Sequence, residues 1–452
     1  MVIVLILIAL VALLSGVPFA FSLLLGTTLA TLIFDPSGLL SLPLLAMSDI
    51  NDPLIIAIPM LIIAGQMLSE VGAIEPIIET WEWLFGRIQG SLGLCMVGTS
   101  LFFAGSTGST AAESAAVATA FAGPMEARGY TRRYVGSLVV ASCAVGLLFP
   151  PSLAMILYAQ VINYPVTQLW IAGIFPGLMT GALIALVSIV MARRMLKKTR
   201  PDGSLGVITP VNSGSASTPL TPVDRALPSL AVDVAPPMGR VRKVFATVLG
   251  LMIPAFVVGG IYSGTLTLSE VAASLVAIIT LYGLLVTRIG PKRLFGAVRL
   301  GGQRAGAVFM IIISARLFSN VLVEQQTIIK ILNEVNNLHW SKFWILLVAN
   351  IAMLAAGTLM DGLSLIIIGA PLLYALLTPL GITPVHLAII MAMNLEIGVM
   401  HPPLGGNLFA VSAVTGERVG KIAFAVLPYL GVLLFMLMLV TYVPVPGFAW
   451  NN

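Results

Sequence analysis

Charge is what this 452-residue chain most lacks: Asp, Glu, Lys and Arg together make up 9% of it, against roughly one quarter in soluble domains. So low a share excludes a soluble globular protein with an ordinary charged surface. The net charge of +5 is what Lys and Arg in the cytoplasmic loops of a membrane protein produce, and it is no argument for nucleic acid as a partner. Cysteine is scarce too. Cys95 and Cys143 lie in apolar runs without a CxxC or histidine partners, which excludes a disulfide framework and a zinc site and leaves two small buried hydrophobes. No HExxH, GxSxG or paired-aspartate motif occurs, which stands against an intramembrane enzyme with His401 and an acid as its catalytic pair.

What is present is apolar sequence. Hydrophobic residues make up 58% of the chain and the mean hydropathy is +1.05, the composition of a polytopic all-α membrane protein embedded in a lipid bilayer. Membrane-length or slightly shorter helices are expected at 2–14, 17–34, 53–70, 168–192, 244–262, 267–288, 303–323 and 418–442, with interrupted ones at 134–165 and 385–414. Two further stretches, 91–127 and 343–379, are too long for one simple span and break in the middle. The opening MVIVLILIALVALLSGVPFAF has no basic n-region and no A-x-A site before a polar domain, so a retained span is expected there. Residues 197–243, rich in Pro, Ser, Thr and Gly, read as a flexible cytoplasmic linker between membrane halves 1–196 and 244–452.

The halves resemble each other. An offset of 252 residues, the distance from Pro150 to Pro402, also pairs Ala104 with Ala356, Gly105 with Gly357, Gly129 with Gly381, Thr131 with Thr383, Gly146 with Gly398 and Pro176 with Pro428. No gap is needed, which points to an internal repeat. The basic loops 193–200, 240–243, 288–304 and 128–133 belong on the cytoplasmic side, whereas TPLGITPVH (378–386), the mate of 128–133, carries no Lys or Arg. One half is therefore expected upside down, with 91–127 and 343–379 as re-entrant helical hairpins: two inverted repeats, the logic of secondary transporters that bind substrate and ions near the midplane.

The breaks carry the candidate chemistry. FFAGSTGSTAAES (102–114) packs hydroxyls and glycines beside helix termini, where oxygen ligands for a hard cation are available, although a small-residue packing stripe would look similar. ASCAVGLLFPPSLAM (141–155) and MNLEIGVMHPPLGGN (393–407) each place a PP pair in an apolar span. Proline removes an N–H and clashes one turn back, so the ladder stops and carbonyls are freed to face an ion; the alternative is a mere kink. Glu113, Arg316, Asp361 and Glu396 are intramembrane charges, expensive and therefore candidates for function. Three acids against one Arg leave a deficit that two monovalent cations would neutralise, and an Arg316–acid bridge remains open. His401 reads first as a hydrogen-bonded interior histidine, with a proton relay as the alternative. EPIIETWEWLFGRI (75–88) and TIIKILNEVNNLHW (327–340) read as interfacial helices, with Trp81, Trp83 and Trp340 at headgroup depth.

IPMLIIAGQMLSEVG (58–72), FFAGSTGSTAAESAAVA (102–118), GLLFPPSLAMILYA (146–159), AGIFPGL (172–178), MDGLSLIIIGAPLL (360–373) and above all NLEIGVMHPPLGGNLF (394–409) resemble the large, DctM-like membrane subunit of tripartite ATP-independent periplasmic (TRAP) transporters. The resemblance covers nearly the whole chain outside the linker. It implies an elevator-type fold of the ion-transporter superfamily kind in the bacterial cytoplasmic (inner) membrane. The implied activity is sodium-driven import of small organic anions such as carboxylates, with Na+ as coupling ion and no other cofactor. The implied partners are a small four-helix membrane subunit and a periplasmic substrate-binding protein. By motif match, ion-binding residues fall on Ser106, Thr107, Gly108 and Ser109, on Gly357, Thr358 and Asp361, and on the two PP breaks with Ser142, Pro150, Asn394, Pro402 and Gly405. Thr110, Glu113, Arg316, Glu396, His401 and Asn407 are candidates to line the substrate cavity. The family pattern usually carries small or apolar residues at 113, 316 and 396. Three rival readings are a stand-alone carboxylate transporter needing no binding protein, an intramembrane enzyme and a purely structural subunit.

Overall fold

The computed structural model describes residues 1–48, 53–71, 90–103, 110–199, 252, 256–337, 339–359, 362–401 and 405–443, and among these there is helix but no strand. One set of helices comprises α1 (Val2–Leu14), α2 (Phe19–Phe34), α3 (Ser41–Ser48) and α4 (Pro53–Glu70). The first half continues with α5 (Ser91–Phe103), α6 (Thr110–Ala127), α7 (Arg132–Val145), α8 (Leu153–Ile162) and α9 (Val166–Thr199). The second half supplies α10 (Leu268–Leu285), α11 (Pro291–Glu324), α12 (Thr327–Asn337), α13 (Lys342–Leu359) and α14 (Gly362–Leu377). It closes with α15 (Pro384–Met400), α16 (Gly406–Thr415) and α17 (Val419–Tyr442).

Helix ends follow local chemistry. Thr131 and Thr383 cap α7 and α15, each hydroxyl accepting the backbone N–H of the helix's third residue, Tyr134 and His386. Thr267 and Glu270 form a reciprocal capping box at the start of α10. Asn163, in the left-handed conformation, ends α8.

Packing sorts the helices into two groups. α4 lies against α10 and α11, and α11 against α2, which also holds α1. The other group is built around α7 and α15: α5, α6, α9, α16 and α17 surround α7, while α13, α14, α17 and α9 surround α15. The groups meet where α11 packs on α14 and α4 on α8. Every residue of α7 from Tyr134 to Val145 is buried, so that helix has no lipid-facing stripe to advertise it and carries Ser137, Ser142 and Cys143 inside.

Among the described residues, five helices are long and apolar enough to cross a membrane unaided: Val166–Met195, Leu268–Leu285, Pro291–Glu324, Gly362–Leu380 and Val419–Tyr442. α7, α8, α15 and α16 are shorter because the PP breaks divide them. One expectation fails: 288–304 is not a basic loop. Pro291 at the first helical position starts α11, which runs unbroken through Lys292, Arg293, Arg299 and Arg304. Arg293 reaches Glu70 of α4 at 3.3 Å and Arg304 donates to Gln66, so the charges are accommodated on a helix by partners and by long side chains that carry their heads outward. α3 and the 3-10 turn Pro36–Leu40 before it were not expected. The linker, most of the expected 244–262 helix and Trp81 and Trp83 lie outside the described residues, though 256–262 is helical. The amphipathic stretch at 327–340 is α12, with Trp340 45% exposed beyond its end.

Candidate functional site

The first break, between α7 and α8, is a short run of tightened turns. The N–H groups of Leu147, Leu148 and Phe149 donate to the carbonyls of Ala144, Val145 and Gly146. Pro150 and Pro151 follow, joined by a cis peptide bond. Ser152 then restarts the helix: its hydroxyl donates to the Leu147 carbonyl and accepts from Met155 N–H at 3.3 Å. Its own carbonyl receives the indole N–H of Trp170 at 3.4 Å. The Leu148 carbonyl is pressed against Gly173 of α9, where a Cβ would lie 2.3 Å from the oxygen; only glycine fits. Part of the backbone that the prolines release is thus re-satisfied within the protein.

At the second break α15 ends at His401, whose N–H donates to the Gly398 carbonyl at 3.4 Å. α16 begins after Gly405, whose N–H donates to the His401 carbonyl at 3.0 Å. Asn394 is fully buried. Its amide donates to Asn350 Oδ1 of α13 at 2.7 Å and to the Ile390 carbonyl at 2.8 Å, and its own Oδ1 has no hydrogen bond among the described residues. Gly398 lies against Gly357 backbone to backbone, since a Cβ on Gly398 would sit 3.2 Å from three backbone atoms of Gly357. α13 and the second break are therefore in direct contact, which brings Gly357, Asn394 and Gly398 together.

The two breaks also use matching contacts. Thr131 accepts from Tyr134 N–H at 3.3 Å and Thr383 from His386 N–H at 3.2 Å. Tyr134 donates to the Ser188 carbonyl at 2.8 Å, and the His386 ring meets the Val440 carbonyl at the same 2.8 Å. Ser142 donates to the Leu138 carbonyl at 2.7 Å, as Asn394 does to that of Ile390 at 2.8 Å. In every pair both partners differ by the 252-residue offset between the two prolines Pro150 and Pro402. α6 packs on α16, and α14 on α8, so each half covers the other's second half-helix.

The remaining candidates are distributed around these junctions. Glu396 is fully buried on α15 beside the backbone N–H of Leu148 in the first break. Asn407, fully buried at the start of α16, has no hydrogen bond on either polar side-chain atom among the described residues, and neighbouring Gly406 faces Ala111 of α6. Among the described residues the buried Nδ1 of His401 has no hydrogen bond, so none of them ties it down as an interior histidine through that atom. Thr110 opens α6 and is half-buried; Thr358 folds its hydroxyl back onto the Ala355 carbonyl at 2.7 Å. Glu113, on the first turn of α6, is buried beside Cys143 of α7. Arg316, on α11, donates to the Gln160 carbonyl of α8 at 3.4 Å. Ser106, Thr107, Gly108, Ser109, Asp361 and Pro402 lie outside the described residues. Sequence reasoning overlooked Asn350, Ser152 and Trp170; the only available signal was an isolated amide in an apolar run and a helix-capping serine directly after PP.

A bundle of apolar helices with two broken spans at its centre is the architecture of a polytopic membrane transporter. The same fold occurs in the YdaH transporter of Alcanivorax borkumensis, which aligns over 90% of this chain and 89% of its own at 16% identity, with a TM-score of 0.58. The family model of the tripartite ATP-independent periplasmic transporter DctM component matches residues 5–445. Similar chains include the C4-dicarboxylate TRAP transporter large permease protein DctM of Pseudomonas aeruginosa, 32% identical over 95% of this chain and 94% of that one. The sialic acid TRAP transporter large permease protein SiaM of Vibrio cholerae is 25% identical over 95% and 93%. The isethionate TRAP transporter permease protein DctMQ of Oleidesulfovibrio alaskensis is 30% identical over 95% of this chain but only 63% of its own length. The chain belongs to the DctM family of TRAP transporter large permeases, multi-pass membrane proteins that are transporter subunits and not enzymes.

Proposed function

We propose that this chain is the translocating subunit of a sodium-coupled importer of small organic anions in the bacterial inner membrane. The observation that carries the reading is the pair of interrupted helices, α7–α8 and α15–α16, whose polar contacts repeat at one constant offset and whose second halves are each covered by a limb from the other half of the chain. In the proposed arrangement the two halves are inverted copies, and oxygens at Ser142, Pro150, Gly357, Thr358, Asn394 and Gly405 hold Na+ together with Ser106, Thr107, Gly108, Ser109, Asp361 and Pro402. The substrate anion lies nearby, among Thr110, Asn407 and His401, with Arg316 able to meet a carboxylate through charge-assisted hydrogen bonds.

The movement is of elevator type. The group centred on α7 and α15 carries the site across, while the group containing α2, α4, α10 and α11 stays with the membrane frame. A periplasmic binding protein delivers the anion and a small membrane subunit braces the frame. That the isethionate relative is considerably longer than its match to this chain, and is named DctMQ, supports a second membrane component. Relatives named for C4-dicarboxylates and sialic acid support carboxylates as the substrate class.

The test is uptake into proteoliposomes of radiolabelled succinate or N-acetylneuraminate, with and without an inward sodium gradient, adding binding protein and small subunit in turn. Uptake that needs all three components and the gradient is expected. Equal uptake without sodium, or by this chain alone, overturns the reading.

A further inference from the structure

Among the acids that the ion and substrate sites leave without an assigned partner, Glu113 has the most completely defined surroundings. It is 2% exposed, and among the described residues neither carboxyl oxygen has a hydrogen bond of ordinary geometry. Beside it stands the Cys143 thiol, which also neighbours Ser114 and lies 3.6 Å from the Ser100 hydroxyl. These four side chains come from three helices, α5, α6 and α7, and form a small buried polar cluster inside apolar packing.

Among the described residues, none of the helices packed on α6 brings a Lys or Arg side chain to it. α6 packs on α5, α7 and α16. α5 contributes only Cys95 as a titratable group and α16 contributes none. On α7, Cys143 faces the carboxyl, whereas Arg132, Arg133 and Tyr134 lie about 14–16 Å away along the helix axis; Glu126, on α6 itself, lies about 20 Å away. The segment joining α5 to α6, AGSTGS, contains no ionisable side chain. A bare carboxylate in such a place has lost its water and gained no counter-charge, and a thiol is a weak donor.

From this geometry we propose that Glu113 is a proton-binding site of the transport cycle, so that a proton travels inward with the substrate in addition to sodium. Glu113 takes the proton from hydronium on the outer side, one O–H bond of hydronium breaking as one forms on the carboxyl and a water molecule being left behind, and crosses neutral within the cluster of Ser100, Ser114 and Cys143. It returns the proton to water, re-forming hydronium, when the cluster is exposed to the inner side. The inference rests on the importer reading above, and its first test does not need uptake.

Infrared spectra of the purified full chain in lipid nanodiscs, recorded as the pH is raised, are expected to show a protonated-carboxyl C=O band that disappears reversibly. The band should be missing in Glu113→Gln, which keeps the shape of the neutral acid, and shifted in frequency but present in Cys143→Ala. A spectrum in which no band depends on Glu113, or in which that band survives unchanged at every pH, overturns the proposal. In the complete reconstituted system at a fixed sodium gradient, an inward proton gradient of one unit should raise the initial uptake rate by up to about tenfold, the limit for one linked proton. It should also acidify the vesicle interior as substrate enters. Both responses should vanish in Glu113→Gln; a variant that keeps the full response to the proton gradient also overturns the proposal. Should no probe be taken up at all, the importer reading fails while the infrared titration still decides whether Glu113 binds a proton.

Discussion

Gly173→Ala is the substitution whose effect can be worked most directly from the geometry. The new Cβ would lie 2.3 Å from the Leu148 carbonyl oxygen and 3.5 Å from its carbon, all backbone atoms of the first break. Relieving the clash requires α9 and the break to part by about 1 Å, and insertions of this kind into packed interiors cost about 1–3 kcal/mol. Both sides are backbone with no flexible end to swing away, so the upper value, about 3 kcal/mol, applies. Replacing a helical glycine by alanine returns about 1 kcal/mol of propensity, leaving a net loss of roughly 2 kcal/mol. Gly431→Ala on α17 is the control, because nothing lies within 4 Å of its Cβ, and it should gain up to about 1 kcal/mol. Thermal melting in detergent, followed by fluorescence-detected size exclusion, should therefore rank Gly431→Ala at or above the native chain and Gly173→Ala several degrees below it. Sodium-dependent uptake should fall in the second, since the displaced carbonyl belongs to the proposed ion-binding break. A Gly173→Ala protein that melts at or above Gly431→Ala refutes the reasoning. Position 425, the mate of 173 at the 252-residue offset, carries alanine, so the demand for glycine arises from the first break alone.

Other substitutions probe the remaining contacts. Asn394→Ala and Asn350→Ala should each lower stability by about 1–3 kcal/mol by stranding a buried amide; melted together in a double-mutant cycle they should couple by at least about 0.5 kcal/mol, whereas strict additivity would mean that the 2.7 Å contact contributes nothing. Tyr134→Phe should cost about 0.5–1.5 kcal/mol through loss of the bond to the Ser188 carbonyl, measured by the same melting assay. Thr267→Ala should loosen the start of α10 by about 1 kcal/mol, and proteolysis near 256–267 should quicken. Arg316→Ala should raise the half-saturation concentration for the anion at least about tenfold, the order expected when a charge-assisted bond is lost; unchanged uptake and affinity would remove Arg316 from the substrate site.

The two breaks were legible because two adjacent prolines in an apolar run admit few explanations, and α7–α8 and α15–α16 do part at those positions. Both stretches too long for one span also proved to be helix pairs, α5–α6 and α13–α14. The start of α11 was misread because density of Lys and Arg resembles a loop, whereas those side chains reach outward from a helix and find Glu70 and Gln66. Asn350 was invisible for the opposite reason. One amide in KFWILLVANIAMLAAGTL does not change the hydrophobic period, and only the fold brings it to Asn394. Ser152 and Trp170 likewise acquire meaning from a meeting of α8 with α9 that periodicity does not encode.

The mutual covering of half-helices bears on how the protein is made. α6 rests on α16 and α8 on α14, so the ribosome completes the first half long before its covering surfaces exist. Until then α7, with two serines, a cysteine and a tyrosine that end up buried, must wait beside the insertion machinery or shelter against α9. Biogenesis of the whole unit is thus governed by its C-terminal third, and truncations there should leave the earlier segments prey to quality-control proteases, even though every one of their residues has already been synthesised.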